Sequence, residues 1–174
     1  MKTNKKIALS AMLVALGTVF MVLGGFIEIL DLTVCALASL IVVFVYIEIG
    51  APYYWLVWIC TSLITLLLSP AKLLFIEYFL VFGVYPILKA FIEKMPKWTW
   101  WLVKIVYINA MIWALILAFD FFFGTPLLDT DLPILKVGLY LLINAAFVVY
   151  DLFITVMVRF YFEKFRHRIL RYLK

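Results

Sequence analysis

The sequence predicts an all-α integral membrane protein with six transmembrane helices. Its 174 residues are 68% hydrophobic and only 14% charged, whereas soluble domains carry about 45–50% apolar and about 25% charged residues. The apolar residues form long runs between charges and prolines, and the basic residues flank those runs. A water-soluble core of this size cannot hide so much apolar surface. We therefore expect a single membrane domain over residues 1–174.

The first predicted span covers about residues 7–27, which contain no charged side chain. At the rise of an α-helix, about 1.5 Å per residue, this run is long enough to cross the hydrocarbon core of a bilayer. It follows Lys5 and Lys6. Because the run is longer than the apolar region of a secretory signal, we expect it to be retained as a span.

Five further apolar segments follow and are separated by charges, prolines and short polar stretches. They cover about residues 33–49, 53–69, 73–91, 99–122 and 134–158. The second and fourth segments are short for a full span, so their ends are expected to lie deep or to tilt differently. The last segment leads into a basic tail at 159–174, whose apolar residues recur at helical spacing. We expect an amphipathic cytoplasmic tail that anchors the orientation, lies on anionic lipid or docks a cytoplasmic partner.

The lysines and arginines predict the orientation of the spans. If the N-terminus is cytoplasmic, every basic residue except Lys72 and Lys136 falls on the cytoplasmic side. Cytoplasmic ends of membrane spans are enriched in basic residues, so both termini are predicted to be cytoplasmic. The same distribution accounts for the net charge of +5, and no nucleic-acid partner is expected.

The sequence carries no motif typical of an enzyme or a metal centre. It has no glycine-rich phosphate loop ending in Lys-Ser/Thr, no HExxH and no GxSxG, which are the signatures of nucleotide, zinc and serine chemistry. Its one histidine, His167, lies in the basic tail, and Cys35 and Cys60 lie inside apolar runs without metal-site spacing. We predict a protein that is not an enzyme and that binds no cofactor or metal.

Two charged residues are predicted at similar cytoplasmic depth, Lys104 in the fifth span and Asp151 in the sixth. Ionisable side chains are costly at membrane depth and are functional candidates for that reason. These two can form either a structural salt bridge or a gating or coupling-ion pair. The structural interpretation is favoured because one pair without further acids makes a poor proton relay. Asn109 and Asn144 lie deeper in the same helices, and we expect them to hydrogen-bond across a helix interface.

A second set of polar residues is predicted near the outer ends of the spans. Glu77, Asp120 and Lys136 share an outward depth, and Glu28 belongs to the first outer loop. A polar rim above an apolar, aromatic cavity is typical of a small-molecule site, and the alternative is ordinary solvation at the membrane interface. We predict these four residues as substrate-binding. Their mainly acidic character favours a cationic or amine-bearing ligand.

The first span also carries a stripe of small side chains. Ala8, Ala11, Ala15 and Thr18 occupy positions i, i+3, i+7 and i+10. Helices in lipid associate by close packing, which small side chains allow. The stripe therefore predicts a surface for a partner helix.

At this stripe, the stretch KKIALSAMLVAL resembles the first helix of the substrate-binding S components of energy-coupling factor (ECF) transporters. Proteins of that family have six membrane helices and about this length. Their first helix carries an AxxxA pattern, which Ala11 and Ala15 match and Ala8 extends, and the resemblance continues loosely through segments two to four. It implies a subunit that captures a small, vitamin-like molecule from outside. A transmembrane coupling subunit and two cytoplasmic ATPases would then supply the energy.

Two other functions also fit the sequence. A small membrane scaffold of bacterial cell-envelope assembly, similar to the rod-shape protein family, would use the same close-packing helix and basic tail without catalytic residues. A lipid-handling membrane protein would use the outer acids on lipid headgroups.

Overall fold

The computed structural model describes residues 2–27, 30–124 and 133–166, and these ranges contain helices joined by turns. The α-helical segments are α1 (Thr3–Gly24), α2 (Asp31–Glu48), α3 (Tyr53–Leu68), α4 (Lys72–Glu77), α5 (Tyr85–Ile92), α6 (Lys97–Phe123) and α7 (Pro133–Phe160). A π-helical turn, Tyr78–Phe82, joins α4 to α5, so the two form one bent rod. A second π-helical turn, Tyr161–Phe165, continues α7.

The predicted class of helical membrane protein is confirmed at the level of length and composition. Five helices are long and apolar enough to cross a membrane: Thr3–Gly24, Asp31–Glu48, Lys72–Ile92, Lys97–Phe122 and Ile134–Phe165. The third predicted segment corresponds to α3, which is apolar but has only 16 residues. The second and fourth segments were expected to be short for a full span. That expectation is wrong, because both belong to the five, with 18 residues in α2 and 21 in the bent rod.

Small residues on one face of α1 let it pack closely against α2 and α3. Gly17 faces Thr61 of α3, and a Cβ atom added to Gly24 would lie 2.8 Å from a methyl group of Val34 on α2. Ser10 is buried on the same face. These three α1 residues recur every seven positions, which keeps them on one side of a helix. Close packing of this kind holds membrane helices together where lipid supplies no hydrophobic driving force.

The bend between α4 and α5 has a local cause in Pro86. Proline lacks an N–H, so the carbonyl of Phe82, four residues earlier, loses its usual helical donor. The hydroxyl of Tyr150 on α7 donates to this carbonyl at 3.0 Å, and Tyr107 on α6 donates to the carbonyl of Leu80 at 2.9 Å. Lipid offers backbone carbonyls no substitute partner. The two tyrosines therefore hold the bent rod against α6 and α7.

A smaller share of the residues in α6 and α7 is buried than in the other long helices. A cluster around Tyr85, Ile108 and Phe147 joins α5, α6 and α7. Most other side chains on α6 and α7 are exposed, however, and the buried share of these helices is lower than that of α1, α2 or the bent rod. This pair therefore presents most of its surface to its surroundings.

The first and last described helices begin and end at the same end of the bundle. The Lys6 ammonium donates to the carbonyl of Ile49 at 3.2 Å, and the Arg166 Nε lies 3.4 Å from the Glu48 Oε1. Glu48 and Ile49 are adjacent residues at the end of α2. The beginning of α1 and the described end of the chain therefore lie at the same end of the bundle, next to the end of α2.

Candidate functional site

Three charged side chains meet in the interior of the bundle: Lys89 from α5, Lys104 from α6 and Asp151 from α7. Their exposed fractions are 4%, 6% and 4%. Lys104 Nζ donates to Oδ1 and Oδ2 of Asp151 at 2.9 and 2.8 Å. Lys89 donates to the same Oδ1 and, at 2.9 Å, to the backbone carbonyl of Asp151. One carboxylate thus connects three helices, and we call these three residues the charge cluster.

Neighbouring polar groups complete the hydrogen bonding of the charge cluster. The Tyr85 hydroxyl donates to Asp151 Oδ1 at 2.5 Å, and Lys89 donates to the Thr155 hydroxyl at 2.7 Å. The Glu93 side chain, which is 38% exposed, lies 3.3 Å from Lys89 and 3.8 Å from Lys104. Charges at membrane depth persist when they are paired and hydrogen-bonded in this way. The fully buried part nevertheless holds two cations and one anion, and its balancing acid lies at the edge.

The structure brings together Lys104 and Asp151, the two residues expected from the sequence at similar depth. Sequence reasoning counted Lys89 only among the residues that set the orientation and missed its place beside Asp151. A signal was present, because Tyr85 and Lys89 are four positions apart, as are Asp151 and Thr155. Residues at that spacing share a helix face. Two polar faces at similar depth in apolar helices indicate a contact.

A cleft of about 490 Å³ lies between α6 and α7, next to the charge cluster. Its lining combines charged, amide and aromatic side chains with aliphatic ones: Trp101, Lys104, Asn109, Tyr140, Asn144, Phe147 and Asp151 are among them. Ligand sites typically have volumes of about 300–1,000 Å³, with mostly apolar walls and a few polar groups. The cleft therefore has the size and chemistry of a small-molecule site.

Asn109 and Asn144 lie along this cleft, each partly buried. Asn109 donates to the carbonyl of Ile105 at 2.7 Å and Asn144 to that of Tyr140 at 2.9 Å, both within their own helices. The Tyr140 hydroxyl donates to the amide oxygen of Asn109 and so crosses from α7 to α6. We expected the asparagines to bond across the helix interface, and for Asn109 a tyrosine provides that bond.

The predicted outer site residues lie in different environments. Glu77 is partly buried at the end of α4, and one of its carboxylate oxygens is shielded from solvent. Asp120 is exposed near the C-terminal end of α6, and Lys136 is exposed near the N-terminal end of α7. Glu28 lies outside the described residues. Glu77 therefore turns into the bundle while Asp120 and Lys136 stay on its surface, and their role in substrate binding stays a prediction.

The predicted small-residue stripe on α1 is exposed at Ala8, Ala11 and Ala15. Thr18 departs from it, because its side chain is only 5% exposed and belongs to the face that packs inside the chain. The reason is geometric: ten residues at about 100° each turn its side chain about 80° away from Ala8. The exposed part of the predicted stripe therefore consists of the three alanines, and its role as a partner-helix surface stays a prediction.

The described beginning of the basic tail is attached to α2. Glu48, with a side chain only 4% exposed, pairs with Arg166 and accepts a hydrogen bond from the Tyr161 hydroxyl at 3.1 Å. The segment beyond Arg166 lies outside the described residues, so the amphipathic tail at 159–174 stays a prediction over most of its length. Its described part holds the C-terminal end of α7 against the C-terminal end of α2.

Comparison of the chain with protein-family models, curated proteins and solved structures found no match. Within the described ranges, no three His, Cys, Asp or Glu side chains come together as a metal site would require.

Proposed function

We propose that the chain is the membrane-embedded capture subunit of an ECF-type importer, which binds a small, vitamin-like molecule. In this role it is not an enzyme and depends on a transmembrane coupling subunit and two cytoplasmic ATPases. The observation that carries the proposal is the exposed alanine face of α1, formed by Ala8, Ala11 and Ala15. The opposite face of α1 already packs against α2 and α3 through Gly17 and Gly24. A second face of small side chains that none of the described helices covers favours a partner helix.

The orientation of the spans is part of this proposal, with both termini in the cytoplasm. We expect cysteines introduced as Lys5→Cys and Lys164→Cys to react with a membrane-impermeant maleimide only from the cytoplasmic side. Lys136→Cys should react only from outside, because all three positions are exposed and basic residues favour the cytoplasmic side. Cys60→Ala removes the exposed native thiol, and Cys35 is fully buried. Labelling of positions 5 and 164 from opposite sides would exclude six passes.

Enlarging the alanine face should prevent assembly without unfolding the chain. In the double variant Ala11→Leu/Ala15→Leu, the added side chains hold a partner helix away from the backbone of α1. We expect recovery of the coupling subunit and ATPases with the tagged chain to fall at least tenfold. Quantitative mass spectrometry of affinity-purified membranes measures this.

The matched control is Ala110→Leu/Ala146→Leu, which makes the same changes at exposed alanines of α6 and α7. We expect it to leave assembly unchanged. Gel filtration should show both variants eluting like the original protein. If the α1 variant recovers its partners as well as the control does, the alanine face is not the docking surface.

A further inference from the structure

We propose that a groove between α2 and the C-terminal end of α7 binds an anionic phospholipid, with an acyl chain in the groove and the headgroup beside Lys164. This inference goes beyond the proposed capture function and does not depend on it. The groove is a different place from the cleft between α6 and α7, and lipid binding can be measured on this chain alone.

The groove has apolar and aromatic walls and a volume of about 200 Å³. Sites that enclose a whole small molecule typically have volumes of about 300–1,000 Å³. Two wall residues, Phe160 and Phe165, are 42% and 44% exposed, so the groove is open to its surroundings. An open apolar groove of this size suits one segment of an acyl chain. The walls come from α2, from α7 and from the π-helical turn that continues α7: Leu40, Val43, Phe44, Ile47, Met157, Val158, Phe160, Tyr161 and Phe165.

Lys164 places a positive charge at the rim of this groove. Its ammonium lies 5.2 Å from the centroid of the Phe160 ring, which belongs to the groove wall. The Phe160 ring in turn packs against Phe165 at 5.5 Å between ring centroids. An aromatic ring attracts the ammonium through its π face and takes up none of its three N–H donors in a conventional hydrogen bond. Those donors are therefore available to an anion.

The charges around the groove leave Lys164 open to such an anion. The other cation at this place, Arg166, lies 3.4 Å from Glu48. Within residues 2–27, 30–124 and 133–166, by contrast, no carboxylate lies within 4.0 Å of the Lys164 ammonium, and the neighbouring Glu163 is exposed. An anionic headgroup is complementary to this unbalanced cation.

The groove lies where the last apolar helix ends. The final helix that is long and apolar enough to cross a membrane ends at Phe165, the residue after Lys164. The beginning of α1, with Lys5 and Lys6, lies at the same end of the bundle. Basic side chains at the surface of a membrane attract anionic lipids. A phospholipid in this position would have its acyl chain against the apolar walls and its headgroup beside Lys164.

The test is a lipid titration of the purified full-length chain in detergent micelles, read out by native mass spectrometry. The two probes are phosphatidylglycerol and phosphatidylcholine with the same palmitoyl and oleoyl chains, so that they differ only in the headgroup and its charge. We expect phosphatidylglycerol to bind about fivefold more tightly, because one basic side chain near a membrane surface contributes about that factor. Equal affinity for the two lipids would overturn the proposal.

A soluble competitor separates a lipid site from a simple anion site. Glycerophosphoglycerol carries the headgroup of phosphatidylglycerol without its acyl chains, so it should not displace the lipid at equal concentration. Displacement by this competitor would show that the groove contributes nothing, and it would overturn the lipid assignment.

A pair of lysine substitutions tests the headgroup contact. Lys164→Gln should abolish the preference for phosphatidylglycerol. The matched control is Lys94→Gln, because the Lys94 ammonium also lies over a phenyl ring, 5.0 Å from the centroid of Phe91, and that ring is not part of the groove wall. The control should keep the fivefold preference. If the two variants behave alike, the preference comes from overall charge and the assignment to Lys164 is wrong.

A pair of neighbouring substitutions on α7 tests the groove itself. Met157 belongs to the groove wall, whereas Val156 is 60% exposed and lies outside the described wall. Met157→Trp should weaken phosphatidylglycerol binding at least fivefold by filling the groove, and Val156→Trp should leave it unchanged. Gel filtration checks that both variants stay folded. Unchanged lipid binding in Met157→Trp would overturn the site, and a change from dimer to monomer in that variant would show that a second copy of the chain occupies the groove instead.

Discussion

The substitution Asp151→Asn should lower the free energy of unfolding by about 3–5 kcal/mol, which is the usual cost of breaking a buried ion pair from one side. The change leaves Lys89 and Lys104 buried without the carboxylate that both contact. It also weakens the contact by which α5, α6 and α7 meet. At about 2–4 °C per kcal/mol for a chain of this size, we expect a thermal midpoint lower by roughly 10 °C. Fluorescence-detected gel filtration after heating measures that midpoint in detergent.

Two controls separate the charge effect from other causes. Glu163→Gln removes an exposed carboxylate in the π-helical turn that continues α7, the helix that carries Asp151. It should change the thermal midpoint little. The triple variant Lys89→Met/Lys104→Met/Asp151→Leu removes all three buried charges and should recover most of the stability, because apolar replacement of a buried ion pair is often neutral or favourable. If Asp151→Asn is as stable as the original protein, the charge cluster does not hold the helices together.

Gly83→Ala should be the second damaging change, with a loss of about 1–3 kcal/mol from overpacking. A Cβ atom at this position would lie 2.4 Å from the Trp58 ring and 2.9 Å from the backbone oxygen of Tyr78. The Trp58 ring is stacked on Phe79 at 4.9 Å between ring centroids, so it has little room to move. We therefore expect the bend between α4 and α5 to shift. Tyr85, which donates a hydrogen bond to Asp151 of the charge cluster, should shift with it. The same thermal assay measures the loss.

Gly138→Ala is the matched control for this prediction. Nothing lies within 4 Å of a Cβ atom built at Gly138, and alanine in place of a helical glycine stabilises by about 0.5–1 kcal/mol. Combining Gly83→Ala with Trp58→Leu should restore part of the loss by making space. If Gly83→Ala and Gly138→Ala behave alike, close packing against Trp58 does not determine the position of the bend.

The membrane class and the positions of the helices follow from the sequence because length and charge act locally. A helix that crosses lipid needs about 20 apolar residues, and prolines and charges mark its ends. The third helix illustrates this: it begins after Pro52, and Ser69 ends it before Pro70, as the restriction on a residue before proline requires.

The rotation of each helix about its axis is harder to predict from the sequence. Depth along the membrane placed Lys104 and Asp151 together, but it gave no reason to add Lys89, whose side chain on α5 donates to Asp151 of α7. The same limitation put Thr18 on the wrong face of α1. Uniformly apolar helices carry a weak periodic signal, so the side that meets a neighbour depends on packing between distant segments.

For the candidate site, too, the sequence predicted the depth of the residues but not which of them lie together. The sequence identified Asn109, Asn144, Lys104 and Asp151 as polar residues inside spans, but it contained no information that all four border one cleft. Glu77 was grouped with Asp120 and Lys136 by depth alone, although it turns into the bundle. Depth is a property of one helix, whereas a cleft is a property of two.

The measurement that tests the proposed function most directly is affinity purification of the tagged chain from membranes of its own host, with partners identified by mass spectrometry. We expect one transmembrane coupling subunit and two ATPases to be recovered in stable proportion with the chain. Recovery of cell-wall synthesis or cytoskeletal proteins without any ATPase would contradict the importer and indicate a scaffold of cell-envelope assembly.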